Sequence, residues 1–270
     1  IIMIFVDEEL GARRISDGLR VLDNSEFAGW TGANLLWKCF PILTRACFRN
    51  DRDLAAEVAN RVAAEIVVTT EEGIQEDGSF HQHGPQIYNG GYGQAFVILA
   101  LRFMYVFEPT PWAIPVEKGE IMTDLILDGY RWIVRGPVYS YAVEGRRISR
   151  PVRSYDEDGS EISQPGGSGA GTGLHVALDY LVALDPLRRS EVTDFRDAYG
   201  DGHYGRPEVS LGAKVFYRSD MLSIQQPDFL ATMKGVSERT GYVESGNGEN
   251  IKGVHLAHGQ MFIFRDGLEY

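Results

Sequence analysis

The chain has 270 residues with 44% hydrophobic content, enough to bury a core in one or two domains. It carries 38 acidic against 26 basic side chains, a formal net charge of −12 that argues against nucleic acid as a general partner. Net charge sets only the far field, so a cleft lined by a few arginines remains compatible with an anionic ligand.

In chain order, Leu35 to Phe48 reads as a helix that Pro41 should kink. It holds both cysteines, Cys39 and Cys47, which eight residues of helix would set roughly 12 Å apart. Two buried thiols are therefore expected rather than a mutual disulfide, and the redox compartment stays open. Arg52 to Thr70 places Leu54, Val58, Val62 and Ile66 on one face of a second helix. Gly91 to Phe107 is nearly all apolar and predicts a buried helix. Its longest apolar run, Ala95 to Phe107, is broken by Arg102 and is short of the roughly 20 residues that span a bilayer. The opening IIMIFV lacks a basic n-region and a small-residue cleavage site, so it is not read as a signal peptide, and a start inside an apolar run suggests sequence upstream. Val116 to Val134 and Gly173 to Leu184 are further helices, the latter closed by Asp185-Pro186. Between them, 136–173 is a long connection whose first half carries arginines and whose glycine-rich second half fits no nucleotide-binding pattern. This is a run of helical hairpins with no strand expected between them. After Tyr199-Gly-Asp-Gly the character changes, and Lys214 to Tyr217, Phe229 to Val236 and Met261 to Phe264 are short β-rich runs. A boundary near residues 199–205 divides a helical domain, 1–200, from a β domain, 201–270, giving an α+β multidomain class.

The chemistry concentrates in Asp77 to Gly93, DGSFHQHGPQIYNGGYG, where two histidines and two tyrosines lie among glycines. Glycine lets backbone approach a ligand closely, so imidazole and phenol groups can be held at a cleft rim. With it go GWTGANLLW (Gly29 to Trp37), VEGRRISRP (Val143 to Pro151) and ESGNGENIKG (Glu244 to Gly253). In order and spacing these four segments resemble the active-site segments of polysaccharide lyase family 8, the chondroitin AC, hyaluronate and xanthan lyases. The HGPQ wording is most similar to the chondroitin AC branch. The resemblance implies an incomplete α/α toroid followed by an antiparallel β-sandwich. Residues 1–200 would then be the C-terminal part of the toroid and 201–270 the opening of the sandwich, so the chain would cover only part of the family's length.

The resemblance further implies cleavage of a 4-linked, uronate-containing glycosaminoglycan, chondroitin or hyaluronan in type, by β-elimination. That reaction must remove a weakly acidic C5 proton beside a carboxylate and protonate the leaving O4. Tyr92 matches the family's catalytic tyrosine, with a pKa that neighbouring cations would depress, and His83 matches its histidine. Asn34 matches the amide that clamps the carboxylate. Arg146 and Arg150 match an arginine pair that faces the tyrosine and the anionic chain. Glu244 and Asn247 match residues from the β domain, and Gln86 of the HGPQ segment joins the substrate-binding set. The site is expected at the interdomain cleft. The reaction needs no cofactor, and the expected partner is an acidic polysaccharide, with no nucleic acid, no membrane and a monomeric state. A polymeric substrate implies a secreted or periplasmic bacterial protein.

Other readings of the same residues stay open. Asn34 could be a helix N-cap, Tyr88 is a rival phenol, and His81 is a rival to His83. Arg146, Arg147, Arg150 and Arg153 could form a solvated cluster, and Glu244 and Glu249 could only flank a turn at Gly246 and Gly248. The six histidines, at 81, 83, 175, 203, 255 and 258, show no metal-ligand spacing, and Asp156-Glu-Asp reads as a solvated loop, so no metal site is expected. Trp30, Trp37, Trp112 and Trp132 can all be placed in the core. The competing functions are a non-catalytic acidic-glycan binder and a hydrolase on a similar helical toroid. The hydrolase would need two carboxylates across the scissile bond, drawn from Glu244 or Glu249 and the Asp156 group.

Overall fold

The structure is a computed structural model that describes residues 7–136, 138–149, 152–155, 161–164, 171–200 and 211–267. Its first part is helical: α1 (Asp7–Leu22), α2 (Gly32–Arg49), α3 (Arg52–Glu65), α4 (Gln94–Phe107), α5 (Val116–Asp124), α6 (Gly171–Ala183) and α7 (Arg189–Gly200). The helix α2 continues through Pro41. On α3, Val58, Val62 and the following Ile66 are fully buried, as their spacing requires. Central to the core is α4, which buries Phe96, Val97, Leu101, Phe103 and Phe107. Each such side chain contributes about 1.5–3 kcal/mol. With the turn that precedes it, this helical run extends over Asn89–Phe107, longer than its apolar stretch suggests, and most of it is packed inside the fold.

Four expectations are corrected here. Short antiparallel hairpins interrupt the helices: β1 (Gly73–Ile74) with β2 (Phe80–His81), β3 (Val134–Arg135) with β4 (Val138–Tyr139), and β5 (Val152–Tyr155) with β6 (Glu161–Gln164). The first four of these strands have two residues each and carry no readable alternation, and the helix predicted to reach Val134 ends before it in a turn at Tyr130–Trp132. Cys39 is buried but Cys47 is exposed, on the outer face of α2. Trp30 and Trp37 are about half exposed rather than core residues. The expected domain boundary near 199–205 falls largely outside the described residues.

The last part is a four-stranded antiparallel sheet in the order β10-β9-β8-β7, from β7 (Gly212–Phe216), β8 (Met221–Gln226), β9 (Phe229–Lys234) and β10 (Gln260–Phe264). The strand β8 was not expected, because its buried positions, Met221, Ser223 and Gln225, are mostly polar. They are polar because they bond the helical part: Gln225 donates to the Arg131 carbonyl at 2.5 Å, Ser223 to that of Trp132, and Thr232 of β9 pairs with Ser140 at 2.7 Å. At the β7–β8 turn, the backbone N–H of Arg218 donates to Asp77 at 2.6 Å and Ser219 Oγ meets His81 Nε2 at 2.8 Å. This seam locks the 77–93 segment to the sheet.

Burial pushes the His81 pKa down to about 4, against the opposing pull of Asp77. Between about 6.5 and 4 the unfolded chain therefore binds more protons than the folded one, and stability falls as pH falls through that window. The expected loss is about 3 kcal/mol across it. Urea unfolding at neutral and mildly acid pH checks this, with His81→Gln expected to flatten that part of the slope.

Candidate active site

Residues Asn89–Gly93 form a single π-helical turn at the entry to α4, the kind of irregularity that often marks functional sites. Its frame is internal: the Tyr88 carbonyl accepts from the N–H groups of Gly91 and Gly93 at 3.3 and 2.9 Å. Arg147 donates to the Gly90 carbonyl at 2.9 Å and also pairs with Gln94. Upstream, His83 holds a left-handed backbone conformation at φ 59°, unusual without glycine and a local strain. The backbone just after His83 is stitched in place by Gly84 N–H to Glu72 at 2.9 Å and by Gly241 N–H to the Pro85 carbonyl at 2.7 Å.

Four expected residues meet across the two parts of the chain. Glu244 Oε1 accepts from His83 Nδ1 at 2.6 Å and from Arg146 Nη1 at 3.1 Å. The other terminal nitrogen of Arg146, Nη2, donates to the Tyr92 hydroxyl at 2.9 Å. The Tyr92 ring packs edge-on to His83 at 4.6 Å between centroids and lies 5.6 Å from the Trp37 ring. Burial alone would lower the Arg146 pKa, but Glu244, Tyr92 and Tyr88 outweigh it and raise it, so the guanidinium is a fixed cation. The arrangement holds a phenol oxygen against a permanent positive charge and an imidazole against a carboxylate.

The remaining expected residues are placed as follows. Asn34 lies in the first turn of α2, half-buried, one helical turn before Trp37 and on the same side. The N-cap of α2 is Thr31, not Asn34, and the first N–H groups are taken by Glu65 and by Gln82, the latter at 3.2 Å from Ala33 N. Gln86 is not brought to the cluster: it is buried, and its amide donates to the carbonyls of Gln82 and His83 at 3.3 and 3.2 Å. Asn247 is exposed at φ 54° in a tight turn closed by Gly246 and Glu249, so the turn reading describes its backbone. Arg150 and the Asp156 group lie outside the described residues, as does the side chain of Arg153.

Several participants escaped the sequence reading. Tyr88, taken there as a rival phenol, is 1% exposed and donates its hydroxyl to Glu244 Oε2 at 2.7 Å. Burial, then Glu244, push its pKa far up, which keeps the hydroxyl protonated as a hydrogen-bond donor to Glu244. Glu249 adds a second carboxylate to Arg146, 3.3 Å from Nε. Asn250 ties the Glu244 carbonyl, at 2.8 Å, and the Gly145 carbonyl, at 3.4 Å, to one amide. His81, the other histidine, belongs to the seam with Ser219 and not to this cluster. Among the described residues no group of His, Cys, Asp or Glu is gathered that could hold a metal ion.

The helical part and the antiparallel sheet are thus joined through one Tyr-His-Arg-Glu cluster to which both contribute side chains. Family models agree in both parts: the polysaccharide lyase family 8 N-terminal alpha-helical domain matches residues 9–164, and the family 8 super-sandwich domain matches 211–270. The chain belongs to polysaccharide lyase family 8. It is 28% identical over 247 residues to a chondroitinase-AC of Pedobacter heparinus, covering 89% of this chain and 32% of that protein. To a hyaluronate lyase of Thermasporomyces composti it is 24% identical, covering 94% of this chain and 36% of that protein. Among solved structures, a chondroitinase AC lyase studied as enzyme–oligosaccharide complexes matches with a TM-score of 0.80 at 26% identity, over 93% of this chain and 35% of that one. The chain thus spans about a third of the length of these relatives.

Proposed function

We propose that this chain carries the catalytic cluster of a bacterial lyase that cleaves 4-linked uronate polysaccharides, chondroitin or hyaluronan in type, by β-elimination. The observation that carries this reading is Arg146, which joins the Tyr92 hydroxyl to the Glu244 carboxylate that also binds His83. In the proposed reaction, Asn34 and His83 face the substrate carboxylate and blunt the charge that grows on it as C5 loses its proton. Because Nδ1 of His83 is tied to Glu244, its chemistry falls to Nε2. The Tyr92 oxygen, with negative charge on it stabilised by Arg146, takes the C5 proton and returns it to O4. The C5–H and C4–O4 bonds break, the C4=C5 double bond forms, and the proton count is unchanged. Arg150 and Asn247 would contact the chain beyond the reacting sugar. A polymer of this size implies export, so a secreted or periplasmic location is part of the proposal.

The hydrolase reading is disfavoured by geometry. Glu244 is held by three donors and Glu249 faces the same guanidinium, so neither is set to protonate a glycosidic oxygen. Incubation of the full-length protein with chondroitin, hyaluronan or xanthan, followed by ultraviolet absorbance, tests the proposal. A rising unsaturated-uronate signal is expected on chondroitin or hyaluronan. New reducing ends without that signal would establish hydrolysis, and glycan binding without either would establish a non-catalytic binder.

A further inference from the structure

We propose that Tyr88 is a positioning residue for the reaction at Tyr92. Its hydroxyl occupies one oxygen of Glu244 and so prevents Glu244 from forking onto Arg146 and drawing the guanidinium off the Tyr92 phenol. This rests on the elimination proposed above and adds a residue to it.

A carboxylate beside a guanidinium favours two parallel hydrogen bonds, both oxygens meeting two nitrogens. That arrangement is absent from the Glu244–Arg146 pair. Only Oε1 reaches Arg146, at Nη1, while Oε2 accepts from Tyr88 at 2.7 Å. Arg146 Nη2 is thereby left to Tyr92, at 2.9 Å. A fork between Glu244 and the two terminal nitrogens would claim the same Nη2.

Tyr88 is built to withhold that oxygen. Its hydroxyl donates to Glu244 and accepts from the backbone N–H of Arg146 at 3.2 Å, so it is fixed from both sides of the pair. The ring packs edge-on to Tyr92 at 5.1 Å. It also fills the space where a Cβ on Gly91 or Gly145 would stand; either Cβ would overlap the ring. Gly145 has φ +58°, a conformation that independently favours glycine. One buried side chain thus touches Glu244, Arg146 and Tyr92 at once, and its own carbonyl frames the turn that carries Tyr92.

Tyr88→Phe in the full-length protein removes the hydroxyl and keeps the ring. The kcat for unsaturated product should fall roughly ten- to a hundredfold with KM within about threefold, as for a misplaced rather than a missing group. In a cycle with Glu244→Gln, which leaves no carboxylate to steer, the further effect of Tyr88→Phe should shrink below about twofold. An unchanged kcat in Tyr88→Phe would overturn the inference. So would an equal fold-loss in both backgrounds, or failure of Tyr88→Phe to fold, since each would assign the hydroxyl to stability alone. Loss of product in Tyr92→Phe with none in Tyr88→Phe would remove this inference and leave the proposed reaction standing. No product from the unaltered protein would remove the reaction itself.

Discussion

Replacing Tyr92 with phenylalanine is expected to lower kcat for unsaturated product by at least about 10³-fold, because in the proposed reaction one oxygen serves as both base and acid and each role is worth roughly 10²–10⁴. The ring contacts survive the change: phenylalanine keeps the edge contact to His83, the packing on Tyr88 and the approach to Trp37. The polysaccharide should therefore bind with KM within about threefold, and the loss should sit in the chemical step. Arg146 loses its phenol partner but keeps Glu244 and Glu249, so the cluster has no cause to collapse. Steady-state rates on chondroitin and hyaluronan, with binding measured separately, decide the matter. A residual kcat within tenfold of the unaltered protein would transfer proton transfer to another group, with His83 the first candidate.

What could be read in advance follows from the range of each interaction. The amphipathic helices were legible because many side chains repeat one instruction, as Val58, Val62 and Ile66 do on α3. Tyr92, His83, Arg146 and Glu244 were legible because three of the four ordered segments carry them, and the structure brings them within hydrogen-bonding or ring contact. Residues acting through a partner distant in sequence were not. Tyr88 gains its meaning from Glu244, 156 residues away, and β8 was missed because its inward Ser223 and Gln225 serve carbonyls of the helical part. Gln86 shows the converse: it sits in a recognisable segment, yet its amide closes a turn. The exposure of Trp37 and Cys47 depends on which face of α2 is covered, which no local pattern states.

Glu144 should be a costly ionisable group in the fold, and Glu144→Gln is expected to stabilise the protein at neutral and alkaline pH. Its side chain is fully buried beside Gly90 of the π-turn, and neither carboxylate oxygen finds a hydrogen-bond partner among the described residues. Burial raises its pKa to about 8, with Arg147 only partly opposing. The unfolded carboxyl ionises near 4.5, so between about 4.5 and 8 the folded state holds the extra proton. Stability from this group is complete below about 4.5 and is lost as pH rises towards 8. At pH 7 the loss amounts to about 3 kcal/mol. Glutamine keeps the shape and cannot ionise, so the variant should match the unaltered protein near pH 4.5 and exceed it increasingly up to pH 8. Urea unfolding across that range measures the difference, and a gap that stays constant with pH would mean Glu144 is ionised throughout, with Arg147 as its counter-ion. The outcome bears on the site as well, because the same Arg147 holds the Gly90 carbonyl in the turn that presents Tyr92. An uncharged Glu144 leaves Arg147 to that carbonyl, whereas an ionised one competes for it.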